Sequence, residues 1–172
     1  MIVLKFVFFL LFAPVVYAAV AAFLKEISGR GPVYSPFSAG AAAYVLLHLF
    51  VCQLKSIHQF GQKVVADIFR FSPAFAARAP QVIPLYPALL LVIYYIVHNV
   101  FKFDGMLKYF IFFAGFTFAM HLVLTAQDLS REDTSILKPA YFLTLSAAIV
   151  ISIVIIGLLL DLNFAAFSFK NF

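Results

Sequence analysis

Long apolar runs separated by short polar stretches set the pattern of this chain. The runs fall at 3–24, 37–54, 82–101, 106–127 and 141–160. Each approaches or reaches the roughly 20 residues that a helix needs to cross a bilayer core. The pattern predicts an all-α, polytopic transmembrane helical bundle of about five spans, in one domain covering 1–172. The first run has Lys5, an apolar core at 6–12 and then Val16-Tyr17-Ala18, the form of a secretory signal with a small-residue cleavage site. The apolar stretch continues past Ala18 to Leu24, so it reads as a first spanning helix, softened at Pro14.

The polar interludes differ in kind. KEISGRGPVYSPF (25–37) has the Gly, Pro and Ser content of a loop, with Ser35-Pro36 placed to start the second helix. The stretch 55–78 carries Lys55, Lys63, Arg70 and Arg78 against Asp67, with Val64, Val65, Ile68, Phe69 and Phe71 on an apolar side. That combination predicts an amphipathic interfacial segment, its charge suited to an anionic leaflet. Pro84 and Pro87 sit in the first turns of the third span, where a missing N–H costs least. Lys102-Phe103-Asp104-Gly105 reads as a tight turn, and QDLSREDTSILKP (127–139) as the most water-soluble linker. The tail, 161–172, alternates polar residues with Phe and reads as interfacial.

Composition agrees with the membrane reading. The chain is 65% hydrophobic and 11% charged, where a soluble domain would carry about a quarter charged residues. Its net charge of +5 is scattered over the ends of apolar runs, so it is membrane-flank charge and not a nucleic-acid surface. The single cysteine, Cys52, rules out a disulfide within one chain and any cysteine-based metal cluster. With the N-terminus in the cytoplasm, five spans place Lys5, Lys55, Lys63, Arg70, Arg78, Arg131 and Lys138 inside. Lys25, Arg30, Lys102, Lys108 and Lys170 then lie outside. That bias favours the N-in orientation.

The segments SPFSAGAAAYVLLHLF (35–50) and SIHQFGQKVVADIFRFSPAFAARAPQVIPLY (56–86), with GFTFAMHLVLT (115–125), carry a resemblance. Over roughly 35–129 the chain resembles bacterial membrane proteins of the site-2 protease type of zinc metallopeptidase (the M50 class). In those proteins F-G-H-E-x-x-H follows a membrane helix, and an Ala-Pro…Pro-Leu-Tyr segment opens a later one. Set against that motif after Phe60-Gly61, the two His positions read Gln62 and Ala66, and the Glu position reads Lys63. Two His at i and i+4 bind zinc from one helix face while the Glu takes a proton from bound water. Gln62, Lys63 and Ala66 offer neither ligands nor base. Only about a dozen residues separate Ala66 from Ala79-Pro80, so the strand-rich insert of the family is missing. The resemblance therefore implies a protease-like helical scaffold without catalysis, metal or cofactor.

Polar groups inside apolar runs are the other candidates. Thr117, His121, Thr125 and Asp128 line one face of the fourth span, which reads as an interhelical hydrogen-bond seam. Gly40, Tyr44 and His48 fall four apart on the second span, whose Ser38–Ala43 small residues invite close helix approach. His98 stands alone on the third. His48, His98 and His121 would make a three-His site only if the bundle brought them together. Asp104-Gly105 resembles the Asp-Gly that supplies a third ligand in the protease class, and a turn needs those residues anyway. His58, Gln62 and Ala66 share a face that holds one His only.

Three functional classes follow. The first is a non-catalytic subunit or adaptor of a larger bacterial inner-membrane complex, using Gly40–Ala43 and the Thr117–Asp128 seam to bind partner transmembrane helices. The second is an intramembrane enzyme, lipid- or peptide-directed, using His48, His98 or His121. The third is a helix-contributing subunit of a transporter or channel. A complete secondary transporter is disfavoured by the lack of internal repeat symmetry.

Overall fold

The computed structural model describes residues 2–29, 31–50, 54–101, 106–132 and 139–164. Seven helices occupy them: α1 (Ile2–Ser28), α2 (Gly31–Phe50), α3 (Lys55–Ile68), α4 (Pro73–Val82), α5 (Leu85–Phe101), α6 (Leu107–Glu132) and α7 (Pro139–Phe164). No strand occurs among the described residues. Four helices are long and apolar enough to span a membrane: Phe6–Ser28 in α1, Gly31–Phe50, Leu107–Arg131 in α6 and Tyr141–Asp161 in α7. A fifth crossing arises if α4 and α5, bent by 77° at their junction, count as one broken span. The chain is an integral membrane helical bundle.

Helix directions follow from the contacts. Phe9 stacks on Phe142 at 5.0 Å, while Phe23 and Ile27 share a buried cluster with Ile153, Ile156 and Leu160. Helices α1 and α7 therefore run parallel. On the other side, Phe37 meets Gly115, Tyr44 meets Phe116 and His48 meets Gln127, so α2 and α6 also run parallel. The pairing of α2 with α6 is the most extensive in the fold. It depends on two glycines. A Cβ on Gly40 would lie 1.9 Å from the Phe112 carbonyl oxygen, and one on Gly115 would lie 2.1 Å from that of Phe37. Backbone packs on backbone at this crossing, which no larger residue allows. Phe23, Phe37 and Phe118 join the α1 side to it, with ring centroids 5.8–6.1 Å apart.

Several boundaries differ from the sequence reading. The expected 25–37 loop is mostly helix: α1 runs to Ser28 and α2 already begins at Gly31. Pro32 falls in the first turn, where its missing N–H costs little, while Ser35-Pro36 lies inside the helix instead of starting it and Pro36 forgoes the bond to the Pro32 carbonyl. The expected interfacial segment 55–78 is two helices, because the chain turns at 69–72 and restarts with Ser72 as N-cap and Pro73 at the first helical position. The third span shortens to Leu85–Phe101. The polar linker after Gln127 starts late, since α6 continues to Glu132, and α7 runs on to Phe164 past the expected end at 160. Cys52, the Asp104-Gly105 turn, 133–138 and the tail beyond 164 lie outside the described residues.

The α4–α5 junction is partly covered by protein. Pro84 and Pro87 are fully enclosed, and the Ser152 hydroxyl of α7 donates to the Val82 carbonyl at 3.4 Å. Ser152 stands roughly 16 Å along α7 from Tyr141 at the helical rise of about 1.5 Å per residue. Non-helical backbone at that depth is tolerated when other helices cover it.

Candidate functional site

Helix α3 has three faces, and they decide what surrounds it. Ile57, Phe60 and Ile68 are exposed apolar residues on one stripe. Ser56, Gln59, Lys63 and Asp67 are exposed polar residues on the next. His58, Gly61 and Val65 form the buried stripe, turned toward the bundle. Such a helix sits at a membrane–water boundary while packing one side on protein. Two contacts fix it there. Gly61 leaves room for the Tyr86 ring, 2.6 Å from where a Cβ would stand, and the Tyr86 hydroxyl donates to the Ile57 carbonyl.

This seating brings α3 and α6 together through polar groups. His58 is 2% exposed and His121 is 4% exposed, with ring centroids 5.8 Å apart. The Gln62 carboxamide lies 2.9 Å from His58 Nε2. An amide N–H donating there requires the neutral ring, with its proton on Nδ1. Asp128 Oδ2 lies 3.9 Å from His58 Nε2, and Asp128 Oδ1 lies 3.6 Å from Lys55 Nζ. Thr125 is fully buried, and neither its hydroxyl nor His121 Nε2 has a hydrogen-bond partner. Buried polar atoms are rarely left in that state.

Beside this cluster lies an open cavity of about 370 Å³, lined by Gln59, Gln62, Ala77, Pro80, Gln81, Thr125, Asp128 and Arg131. A narrow cleft lined by His58, Gln62, Tyr86 and His121 adjoins it through the shared Gln62 and Pro80. The residues of this site therefore come from α3, α4, the start of α5 and the second half of α6.

The positions read from sequence separate here. Of the expected seam, His121, Thr125 and Asp128 do meet α3. Thr117 does not, because its hydroxyl donates to the Phe113 carbonyl at 2.7 Å on its own helix. Gly40 and Tyr44 face α6 of the same chain, so this stripe is already occupied and offers no room for a partner's backbone. His48 accepts from the Gln127 carboxamide at 2.8 Å on Nε2, leaving Nδ1–H to donate to the Tyr44 hydroxyl at 3.3 Å. His98 stacks on Tyr94 at 5.7 Å. The three-His grouping of His48, His98 and His121 is not assembled; the imidazole that faces His121 is His58.

The motif positions also resolve. Lys63 is exposed, Ala66 is half-buried, and the inner face presents His58 and Gln62. In an H-E-x-x-H register that starts at His58, the three positions read His58, Gln59 and Gln62. That register supplies one imidazole and no carboxylate base. Among the described residues, no group of three or more His, Cys, Asp or Glu is arranged to hold a metal ion. Of the basic residues, Lys55 is paired with Asp128, and Lys63, Arg70 and Arg78 are exposed.

No family model, no curated protein and no solved structure matches this chain.

Burial holds the His58 ring below the ordinary imidazole value of 6.5; Asp128 opposes that shift and Lys55 adds to it. The unfolded chain then binds more protons than the folded one at pH values just under 6.5, so stability rises with pH there. The His58 contribution is complete above about 6.5 and is lost as the pH falls from there through the folded-state value. Thermal unfolding in detergent at pH 7.5, 6.5 and 5.5 is expected to show falling stability, with a shallower slope in His58→Gln. A melting temperature that holds steady or rises on acidification contradicts this assignment.

Proposed function

We propose that this protein is a non-catalytic membrane subunit, a protease-like helical scaffold that binds a partner's transmembrane helix. The observation that carries this reading is the inner face of α3. It presents His58 and Gln62 at the ligand spacing of a metallopeptidase helix, with Gln59 where a base would stand. A carboxamide neither takes a proton nor replaces imidazole as a zinc ligand. The resemblance to site-2 protease-type metallopeptidases supports the same reading, and a cytoplasmic N-terminus is favoured because it puts Lys5, Lys55, Lys63, Arg70, Arg78, Arg131 and Lys138 inside.

A partner helix fits best in the apolar groove between α1 and α2, floored by α6 and α7. That groove encloses about 460 Å³, and Ser38, Ala41 and Ala119 give it small-residue walls beside Val20, Leu122 and Ile149. Small residues permit the close helix approach that drives association in lipid. The candidate contacts thereby move one helix face away from Gly40. A photo-crosslinking residue at Ala41 or Ala119 is expected to capture one defined membrane protein, while one at exposed Leu49 of α2 captures none. Lipid adducts alone at all three positions contradict the reading.

A second reading has one observation in its favour, the His58–His121 pair beside a polar cavity. Two facing imidazoles suit proton transfer. It predicts that His121→Ala removes an activity while the thermal midpoint is preserved.

A further inference from the structure

The cavity between α3, α4 and the end of α6 is a built polar site, separate from the groove proposed for a partner helix. Its deepest group is the Thr125 hydroxyl, fully buried and without a partner. The outer lining carries two opposite charges, Asp128 and Arg131, one turn apart on α6. Residues three apart on a helix hold their Cβ atoms roughly 5–6 Å from each other. Three carboxamides, Gln59, Gln62 and Gln81, complete the lining. A ligand matching this set carries an anion and a cation a few bonds apart, with acceptor oxygens for Thr125 and the amides.

Position narrows the class. The cavity opens where the α6 span ends, at Arg131. The helices that wall it expose Ile57, Phe60, Ile68 and Phe75, apolar side chains that belong in lipid at the headgroup boundary. A ligand reaching the cavity from the bilayer arrives headgroup first.

We propose that the cavity binds the headgroup of phosphatidylethanolamine, a primary-ammonium phosphodiester. The phosphodiester oxygens accept from Arg131 and Thr125, and the ammonium donates to Asp128. Asp128 retains capacity for this while held by Lys55, because a carboxylate accepts at about four lone-pair sites. The same geometry discriminates among lipids. A choline headgroup has no N–H to donate to Asp128. A glycerol headgroup brings no cation, so it forms no charge-assisted hydrogen bond to Asp128.

The test uses the full chain purified in mixed micelles with equal amounts of phosphatidylethanolamine, phosphatidylcholine and phosphatidylglycerol. Native mass spectrometry counts the retained lipid. One charge-assisted hydrogen bond gained or lost predicts a preference of about tenfold for phosphatidylethanolamine. Thr125→Val keeps the side-chain volume and removes the buried hydroxyl, and Arg131→Ala removes the exposed cation. Both are expected to fold and to lower retention of all three lipids, because each presents the same phosphodiester, whereas Asp128→Asn is expected to lose the preference. Gln59→Ala, also exposed, is a milder variant expected to weaken retention a few-fold. Equal retention of the three lipids overturns the proposal, as does undiminished retention in both Thr125→Val and Arg131→Ala or an undiminished preference in Asp128→Asn. Soluble glycerophosphoethanolamine is the second arm. Failure to displace the lipid at millimolar concentration fits a site fed from the bilayer, and full displacement overturns the lipid as its natural source. Loss of the partner crosslink at Ala41 leaves these outcomes untouched, because the two sites share no residue.

Discussion

Gly40→Leu is expected to separate α2 from α6 and to lower stability by about 3 kcal/mol, the upper end of the range for overpacked sites. The reason is that the obstacle is main chain. A Cβ at Gly40 would stand 1.9 Å from the Phe112 carbonyl oxygen and 3.0 Å from the Phe116 nitrogen, and neither can rotate away as a side chain can. Gly115→Leu meets the Phe37 carbonyl in the same way from the opposite helix, so the two variants should behave alike. The double variant should cost less than the sum, since either change already pushes the same crossing apart. Gly31→Ala is the control, because nothing lies within 4 Å of the position a Cβ would take. Reversible unfolding in mixed micelles measures all four. Near-normal stability in Gly40→Leu contradicts the parallel α2–α6 crossing.

Gly61→Leu is expected to detach α3 from the bundle at a cost of about 2 kcal/mol, within the range for inserting bulk into a packed contact. Here the neighbour is a side chain, the Tyr86 ring, which often yields cheaply. It does not yield cheaply in this fold, because the Tyr86 hydroxyl is tied to the Ile57 carbonyl on α3 itself. Moving the ring breaks that hydrogen bond and exposes His58, which is 2% exposed in the intact protein. The variant should therefore lose part of the acid sensitivity assigned to His58 as well as stability. Carbethoxylation of His58 should speed up in parallel, and unchanged reactivity with normal stability sinks the account of how α3 is seated.

Much of the bundle was legible because apolar run length is a strong signal in a chain 65% hydrophobic. The spans at 37–54, 106–127 and 141–160 overlap α2, α6 and α7, with ends displaced by one to six residues. The errors come from proline and glycine. Pro32 reads as a loop residue and Pro36 as a helix start, yet α2 already begins at Gly31, with Pro32 in its first turn and Pro36 inside it. The third span reads as starting at Val82, yet Val82 ends α4, Pro84 sits in the 77° break before α5, and the freed Val82 carbonyl finds Ser152 on α7. That partner is seventy residues away in sequence, and no local pattern announces it.

The candidate site was half legible for the same reason. The periodicity of α6 put His121, Thr125 and Asp128 on one face correctly. It also included Thr117, whose hydroxyl satisfies its own helix. The partners of the seam, Lys55 and His58, belong to α3, and only tertiary structure brings α3 to α6. The His58–Gln62 spacing was visible, but its importance depends on which face of α3 turns inward. The stripe of His58, Gly61 and Val65 is the local signal that points to it.

The scaffold reading is tested most directly by the mass of the particle in which the protein occurs. Gentle solubilisation from its own membranes, followed by native mass spectrometry, gives the composition and stoichiometry at once. The account predicts a complex of fixed stoichiometry, whose partner is the same protein that crosslinks at Ala41. A monodisperse particle containing one copy of this chain, with lipid and detergent only, contradicts it.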